Sequence, residues 1–450
     1  MDNVVTSSAN VAQRTVRHVN RRLLPYLVLL YTVAYLDRVN IGSAGLQMTR
    51  ELGFSNAVFG LGGGIFYLGY MLLEIPGGVL AEVWSARKWI ARILLTWGFL
   101  ASATGLIHTT KEFYWLRFFL GLAEAGFLPA ILVYISHWYR PEDRGKAIAI
   151  FMASNPVAQV IGGPLSAIFL KIHWLGYNGW RWLLLLEGIP AIILGFITLA
   201  YLTERPEEAQ WLQTDERDWL IGELERERDA RASHSPAWHA LGDPRVLLLS
   251  TTLFLGLTAT YGVSLWMPKI VEKVSSFGVS KVSLIAAIPY LFALPVMWLA
   301  GWSSDRTGER RWHAAIPRIV AGIALAACIY SADYVWISVF ALSIAAAGFY
   351  SSHAGFWPIP NMLLGRAAAA TSIGLINTFG SLGGFVGPYV IGYLRDKTGG
   401  FGSSLLFLSA CSIASGLLVL LVRLPVGQAS ACLPLNFSPV GKNQNQKKTG

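Results

Sequence analysis

Four ionisable residues stand where an apolar chain leaves little room for charge. Asp37 and Arg38 adjoin in "LLPYLVLLYTVAYLDRVNIG", and Arg117 and Glu124 lie seven residues apart in "RFFLGLAEAG". A charge placed mid-membrane costs roughly 2.5–3.5 kcal/mol on insertion scales, so such residues mark a substrate or proton path by default. The planar fork of Arg38 matches a carboxylate bidentately, which makes it the expected anchor for an anion. If the first span enters hydrocarbon at Leu23, Asp37 lies 14 residues on, about 21 Å at ~1.5 Å per residue. That is roughly two-thirds of the way through a ~30 Å core. Arg38 could instead snorkel to the far surface with Asp37 as its partner, but a short aspartate cannot reach water from there, and it reads as a protonation site. Seven residues is nearly two helical turns, so Arg117 and Glu124 share a face. The Ala, Gly and Leu neighbours of Glu124 penalise its ionised form, as a reversible proton carrier requires. The competing reading is a structural ion pair. Placing Arg117 between the two acids would balance one positive charge against carboxylates that protonate in turn.

Other candidates are weaker. Glu74 in "YMLLEIPGG" suits a latch or interface as well as a substrate contact, and Glu187 in "LLLLEGIP" is similar. In the second half of the chain the candidates are neutral: Tyr261 in "ATYGVSLWMP", Ser352 and His353 in "YSSHAGFWPIP", and Asn377 in "INTFGSLGGF". Apart from His353 the spans there read as almost free of ionisable residues, and a buried histidine is more often structural. The asymmetry assigns charge recognition and proton coupling to the first half and selectivity for the rest of the molecule to the second. A small anion bearing hydroxyls would suit it.

The elements that must hold these residues follow from composition. Of 450 residues, 54% are hydrophobic and 14% charged, against about 25% charged in soluble domains. Apolar runs of 18 or more residues predict membrane helices. We expect an all-α membrane protein with twelve spans near 23–43, 57–80, 89–108, 113–138, 146–170, 181–203, 246–268, 282–302, 314–331, 334–360, 369–394 and 402–423. Residues 1–22 read as a polar cytoplasmic tail, not a cleavable signal, since no small-residue cleavage pattern follows the apolar segment. The polar insert 204–244 carries Leu212, Trp219, Leu220 and Leu224 at helical spacing. Glu225 with Arg228 and Glu227 with Arg231 can pair across its turns. It reads as an amphipathic surface helix linking bundles at 23–203 and 245–424. The tail 425–450 reads as disordered.

Most of the 36 Lys and Arg fall in segments that are cytoplasmic if both termini are, the positive-inside pattern. The formal net charge of +10 is therefore spread over loops, which argues against nucleic acid binding. Only Arg38 and Arg117 read as basic residues inside spans. Cys328, Cys411 and Cys432 are too scattered for a metal motif or disulfide framework. The stretches "GLGGG", "IGGP" and "SLGGFVGP" lack a following Gly-Lys-Ser/Thr and are not phosphate loops. Their small residues instead let helices approach closely. No metal-ligand spacing and no nucleophile–base constellation is present.

The chain repeats itself. Gly78 in "GGVLAEVWSARKW" and Gly301 in "AGWSSDRTGERRW" are 223 residues apart, and Pro164 and Pro388 are 224 apart. Two anchors at nearly one offset predict two six-helix halves of like orientation, pseudo-symmetric about an axis along the membrane normal. That is a transporter architecture with its site between the halves.

These loops resemble the G-x-x-x-D-R-x-G-x-R-[RK] pattern of the major facilitator superfamily. The second copy fits at Gly301, Asp305, Arg306, Gly308, Arg310 and Arg311; the first keeps Gly78, Arg87 and Lys88 but has Glu82, Val83 and Ser85 at three specified positions. The resemblance implies a conformational latch built from these charges, with a degenerate first copy. "YLDRVNIG", "SARKWIARILLTWG", "RFFLGLAEAGFLPA", "GWRWLLLLEGIPA" and "INTFGSLGGFVGP" are further similar to the anion:cation symporter family, especially tartrate- and phthalate-type permeases. This implies substrate binding by Arg38, Tyr70 and Asn377, and coupling through Asp37, Arg117 and Glu124.

The expectation is a proton-coupled importer of a small organic anion such as a tartrate-like hydroxydicarboxylate or sugar acid. Its partners are the anion, protons and the lipid bilayer, with no cofactor and a monomer sufficing, in a bacterial inner membrane. Sodium coupling and anion exchange are alternatives within the same architecture. A membrane-embedded transferase would need a catalytic constellation in a loop, and a sensor would need a signalling domain larger than the insert.

Overall fold

The first apolar run belongs to a helix far longer than a bilayer is thick: α1 (Asp2–Glu51). The computed structural model describes residues 2–230, 242–331, 334–364 and 366–422, with the side chains of 2–9, 228–230 and 366–371 excepted. The expected tail 425–450, Cys432, Arg231 and the later linker lie outside these residues, as does the Arg228 side chain. Residues 2–22, which precede the first span, are helical and continuous with it in α1.

Every expected span is helical. The first half continues through α2 (Asn56–Val83), α3 (Ala86–Thr104), α4 (Thr110–Glu124), α5 (Phe127–Trp138), α6 (Pro141–Met152), α7 (Ser154–Phe169) and α8 (Gly179–Tyr201). The linker holds α9 (Thr214–Ala230). The second half comprises α10 (Pro244–Lys273), α11 (Val279–Thr307), α12 (Arg311–Tyr330), α13 (Val335–Phe356), α14 (Pro358–Leu363), α15 (Arg366–Thr398) and α16 (Gly402–Leu421). Among the described residues, nine spans are long and apolar enough to cross a membrane, and the more polar α1, α3 and α15 complete the twelve.

Three spans are each built from two helical pieces, for identifiable reasons. Between α4 and α5, Gly126 adopts a left-handed φ of 81°. A Cβ there would also lie 2.7 Å from the Gly77 Cα of α2. Only glycine meets both demands, and the break falls immediately after Glu124. Pro156 cannot donate to the Met152 carbonyl, where α6 gives way to α7, and Pro358 and Pro360 likewise separate α13 from α14.

The apolar cores divide unevenly. One runs through both halves at the end remote from the termini, joining Ile41, Phe59 and Phe113 to Trp266, Val271 and Ile285. Towards the termini there are two separate cores, one around Leu27, Trp97 and Tyr134, the other around Leu249, Ala315 and Ile359. The halves thus share one apolar core at the fused end and keep separate cores at the other.

Polar contacts reinforce the fused end. Arg50 pairs with Glu272, and Lys269 donates to Thr49 Oγ1 at 2.9 Å. The Asp396 carboxylate of α15 accepts from the N–H groups of Asn56 and Ala57 at 3.2 and 2.7 Å, capping α2 across the interface. Gly60 lets α2 approach so closely that a Cβ would fall 2.4 Å from the Pro388 carbonyl oxygen.

Leu212 and Leu220 of the insert are buried in the first-half core, and Trp219 and Leu224 pack against it. Arg14 and His18 of the α1 extension contact Glu216 at 2.8 and 3.0 Å, and Arg144 pairs with Glu227 at 2.9 Å. One reading of the sequence is corrected: basic residues inside spans are not limited to Arg38 and Arg117. Arg92, Arg181 and Arg318 also lie within helices, and Arg318 places a charge in the second half.

Candidate substrate and proton site

Adjacent residues on a helix point about 100° apart, and this separates the first charged pair. Asp37, 3% exposed, turns towards α3, where Trp97 Nε1 donates to its Oδ2 at 3.3 Å. Arg38 turns the other way, into the space between the halves. Its Nε and Nη2 reach Glu124 Oε1 at 2.8 and 2.6 Å. Glu124 is 1% exposed, and its second oxygen has no hydrogen-bond partner among the described residues. The anchor and its carboxylate thus come from α1 and the last residue of α4, where the Gly126 break begins.

Rings stack around the guanidinium. The Arg38 carbon lies 5.1 Å from the Tyr35 ring centre, 5.3 Å from Phe66 and 4.9 Å from Tyr70. Such contacts stabilise a desolvated cation by up to about 2 kcal/mol. Arg117, 4% exposed, also lies over the Phe66 ring, at 4.8 Å, and its Nε donates to the Gly62 carbonyl at 3.4 Å. Glu124 therefore hydrogen-bonds Arg38, while Arg117 lies within electrostatic reach of both Asp37 and Glu124.

Arg38 and Arg117 face a cavity that Tyr35, Tyr67, Gln159 and Tyr261 also line. Tyr261 approaches Tyr67 across the interface, with ring centres 4.7 Å apart. Gln159 Nε2 donates to the Tyr350 hydroxyl at 3.1 Å, and Asn377 Nδ2 donates to Glu74, both from one half to the other. Ser352 and His353 instead hydrogen-bond the Phe349 carbonyl of their own helix, at 2.8 and 2.9 Å. Glu187 lies on α8 with neither carboxyl oxygen partnered among the described residues.

Tyr35, Tyr67, Trp97 and Gln159 escaped sequence reasoning. Gln159 carried a signal, as an amide inside the apolar run "PVAQVIGGP"; the aromatic residues did not differ from lipid-facing ones.

The loop charges bond within their own halves. Arg310 Nη1 meets Asp305 Oδ1 at 2.7 Å and Ser304 Oγ at 2.8 Å; Arg311 donates to the Leu420 carbonyl, and Arg306 stacks on Trp302. In the first half Glu82 lies 3.7 Å from His137. The carboxylate that caps α3 is Glu204, which accepts from the N–H groups of Ala86 and Arg87 at 2.9 and 3.2 Å. The Lys88 N–H is taken by Ser85 Oγ at 3.1 Å.

Known proteins share this design. The model of the Major Facilitator Superfamily matches residues 27–388. A protein of Agrobacterium vitis named for tartrate transport is 41% identical over 420 residues, 92% of this chain and 96% of its own. A quinolone resistance transporter of Acinetobacter baumannii is 38% identical over 398 residues, 88% of this chain and 91% of its own. The E. coli xylose transporter, solved in an inward open conformation, superposes with a TM-score of 0.71 at 15% identity, covering 90% of this chain and 97% of that one. That likeness concerns the fold alone. Two six-helix halves around buried charges, with family similarity over most of the length, establish the chain as a multi-pass membrane transporter, not an enzyme: it belongs to the Major Facilitator Superfamily.

Proposed function

We propose that this transporter imports a small organic anion, a tartrate-like hydroxydicarboxylate or sugar acid, together with protons. The observation that carries the reading is the Arg38–Glu124 pair facing the cavity. Arg38 is the natural ligand for a substrate carboxylate, and Glu124 already occupies it. Protonating Glu124 releases the guanidinium to the substrate; deprotonation reclaims it and expels the anion. Asp37 is the second acid on this path, with Arg117 as the counter-charge. Tyr70, Tyr261 and Asn377 offer hydrogen bonds to hydroxyls, and Ser352 and His353 shape selectivity behind them. A ligand moves a two-state equilibrium only through differential affinity, and protonation supplies the difference.

The halves exchange access by rocking, with the loop charges Glu82, Arg87, Lys88, Asp305, Arg306, Arg310 and Arg311 acting as the latch of the opposite state. Both termini lie in the cytoplasm of a bacterial cell, which makes the fused end the outer one. A second reading, proton-driven export of an aromatic acid, is favoured by the ring-rich lining around Arg38. Uptake into proteoliposomes of tartrate, phthalate, galactonate and other hexonates, with and without an alkaline interior, separates the two. Accumulation that requires the gradient is expected. Failure to accumulate any carboxylate, or accumulation driven only by a sodium gradient, overturns the reading.

A further inference from the structure

Arg318 of the second half is a buried cation that the site above does not use. Arg318 projects from the second turn of α12 into the interior of its bundle and is 5% exposed. The fold makes room for it: a Cβ on Gly256 would lie 2.4 Å from its Nη1. Among the described residues its guanidinium has one hydrogen-bond partner, Thr260 Oγ1, at a long 3.4 Å, and no ion pair. Thr260 gives its own proton to the Gly256 carbonyl at 2.8 Å, so it can only accept from the arginine.

An uncompensated buried charge is strongly unfavourable, and proteins pair such groups. In the first half two arginines face two acids, Asp37 and Glu124. Arg318 has no such balance. Two chain connections lead from it towards the substrate cavity: Thr260 is the residue before the cavity-lining Tyr261 on α10. His353, within electrostatic reach of Arg318, lies one turn from Tyr350, which Gln159 bonds across the interface. Because His353 Nδ1 faces the Phe349 carbonyl, that nitrogen is the donor and Nε2 is left to accept.

We infer that Arg318, with Thr260 and His353, forms a second carboxylate subsite, which takes the end of a hydroxydicarboxylate remote from Arg38. The guanidinium binds the carboxylate and His353 Nε2 accepts from a neighbouring hydroxyl. This rests on the organic-anion reading and adds to it the requirement for two carboxylates.

Matched pairs test the subsite: tartrate against threonate, and galactarate against galactonate, as substrates for purified protein in liposomes. The wild type should favour the dicarboxylate of each pair. Arg318→Gln should raise its KM about tenfold or more while moving the monocarboxylate KM less than twofold; Arg318→Lys should restore part of the loss. Should Arg318→Gln not fold, Thr260→Val keeps the arginine but frees it, and should show a smaller loss confined to dicarboxylates. Equal loss for both members of a pair, or none, overturns the subsite while leaving anion transport intact. If replacing chloride by an inert sulfonate reproduces the Arg318→Gln effect, the resident anion is inorganic and the proposal fails. A wild type that carries neither member removes the underlying reading as well.

Discussion

Arg38 and Glu124, 86 positions apart in sequence, share one hydrogen-bonded contact in which a single carboxylate oxygen takes both Nε and Nη2 of the guanidinium. Glu124→Gln would keep the shape and remove the charge that competes with substrate. We expect gradient-driven uptake to fall at least about tenfold while exchange of labelled for unlabelled substrate continues. Asp37→Asn should behave alike if it also carries a proton. Loss of exchange along with uptake would mark either acid as structural. Arg38→Lys loses the planar fork and should raise the KM by about tenfold or more.

Gly126 is a backbone requirement of the same site. Gly126→Ala must place a side chain at φ 81° and press it against Gly77. Left-handed strain alone costs about 1–3 kcal/mol, and the contact adds to it. A lowered thermal unfolding midpoint in detergent is expected, with reduced transport even at temperatures where the protein remains folded, because Glu124 ends the helix that the glycine terminates.

The fused end should open when its polar contacts are removed. Asp396→Ala removes the acceptor for the Asn56 and Ala57 N–H groups and leaves Ser55 as the remaining cap of α2, at a cost of about 1 kcal/mol, a roughly fivefold change in a two-state population. Spin labels at solvent-exposed sites on the two halves of this end should report a larger fraction of long distances. An unchanged distance distribution would mean the shared apolar core alone holds the end shut.

Outside the membrane, α9 is held to α1 through Glu216. Burial works against its charge, but the bonds from His18, the Gln213 N–H and Arg14 outweigh that and hold its carboxyl below the ordinary range. A depressed carboxyl contributes stability above its unfolded value of about 4.3, and that contribution disappears as pH falls through the lowered folded value. Hydrogen exchange in α9 should therefore be steady from neutral pH to about 5 and quicken only in stronger acid. Glu216→Gln should show faster exchange already at neutral pH.

Much of the fold was legible because membrane helices advertise themselves by length and composition, and the two loop copies at Gly78 and Gly301 declared the repeat. The charged pair on α1 and the pair on α4 were visible for the same reason, as departures from an apolar background. What the sequence hid was pairing. Which guanidinium Glu124 meets depends on how α1 and α4 rotate against each other, and local periodicity says nothing of that. Glu204 lies far along the chain from the α3 terminus it caps. Arg318 escaped notice because it sits near the end of a span, where basic residues ordinarily serve topology. Helix breaks at Gly126, Pro156 and Pro358 cannot be told from tolerated prolines and glycines such as Pro164 and Pro388, which continue their helices.

The balance of the buried charges in the first half also bears on voltage. Asp37 and Glu124 offset Arg38 and Arg117, so an empty carrier with both acids ionised returns without moving net charge through those four groups. Loaded with two protons and a dianion, the same site again sums to zero; loaded with two protons and a monoanion, it carries one positive charge. Each elementary charge moved across the bilayer is worth about 2.3 kcal/mol per 100 mV. A transporter built on this count would take up dicarboxylates with little regard to membrane potential, while an interior-negative potential would speed its uptake of monocarboxylates.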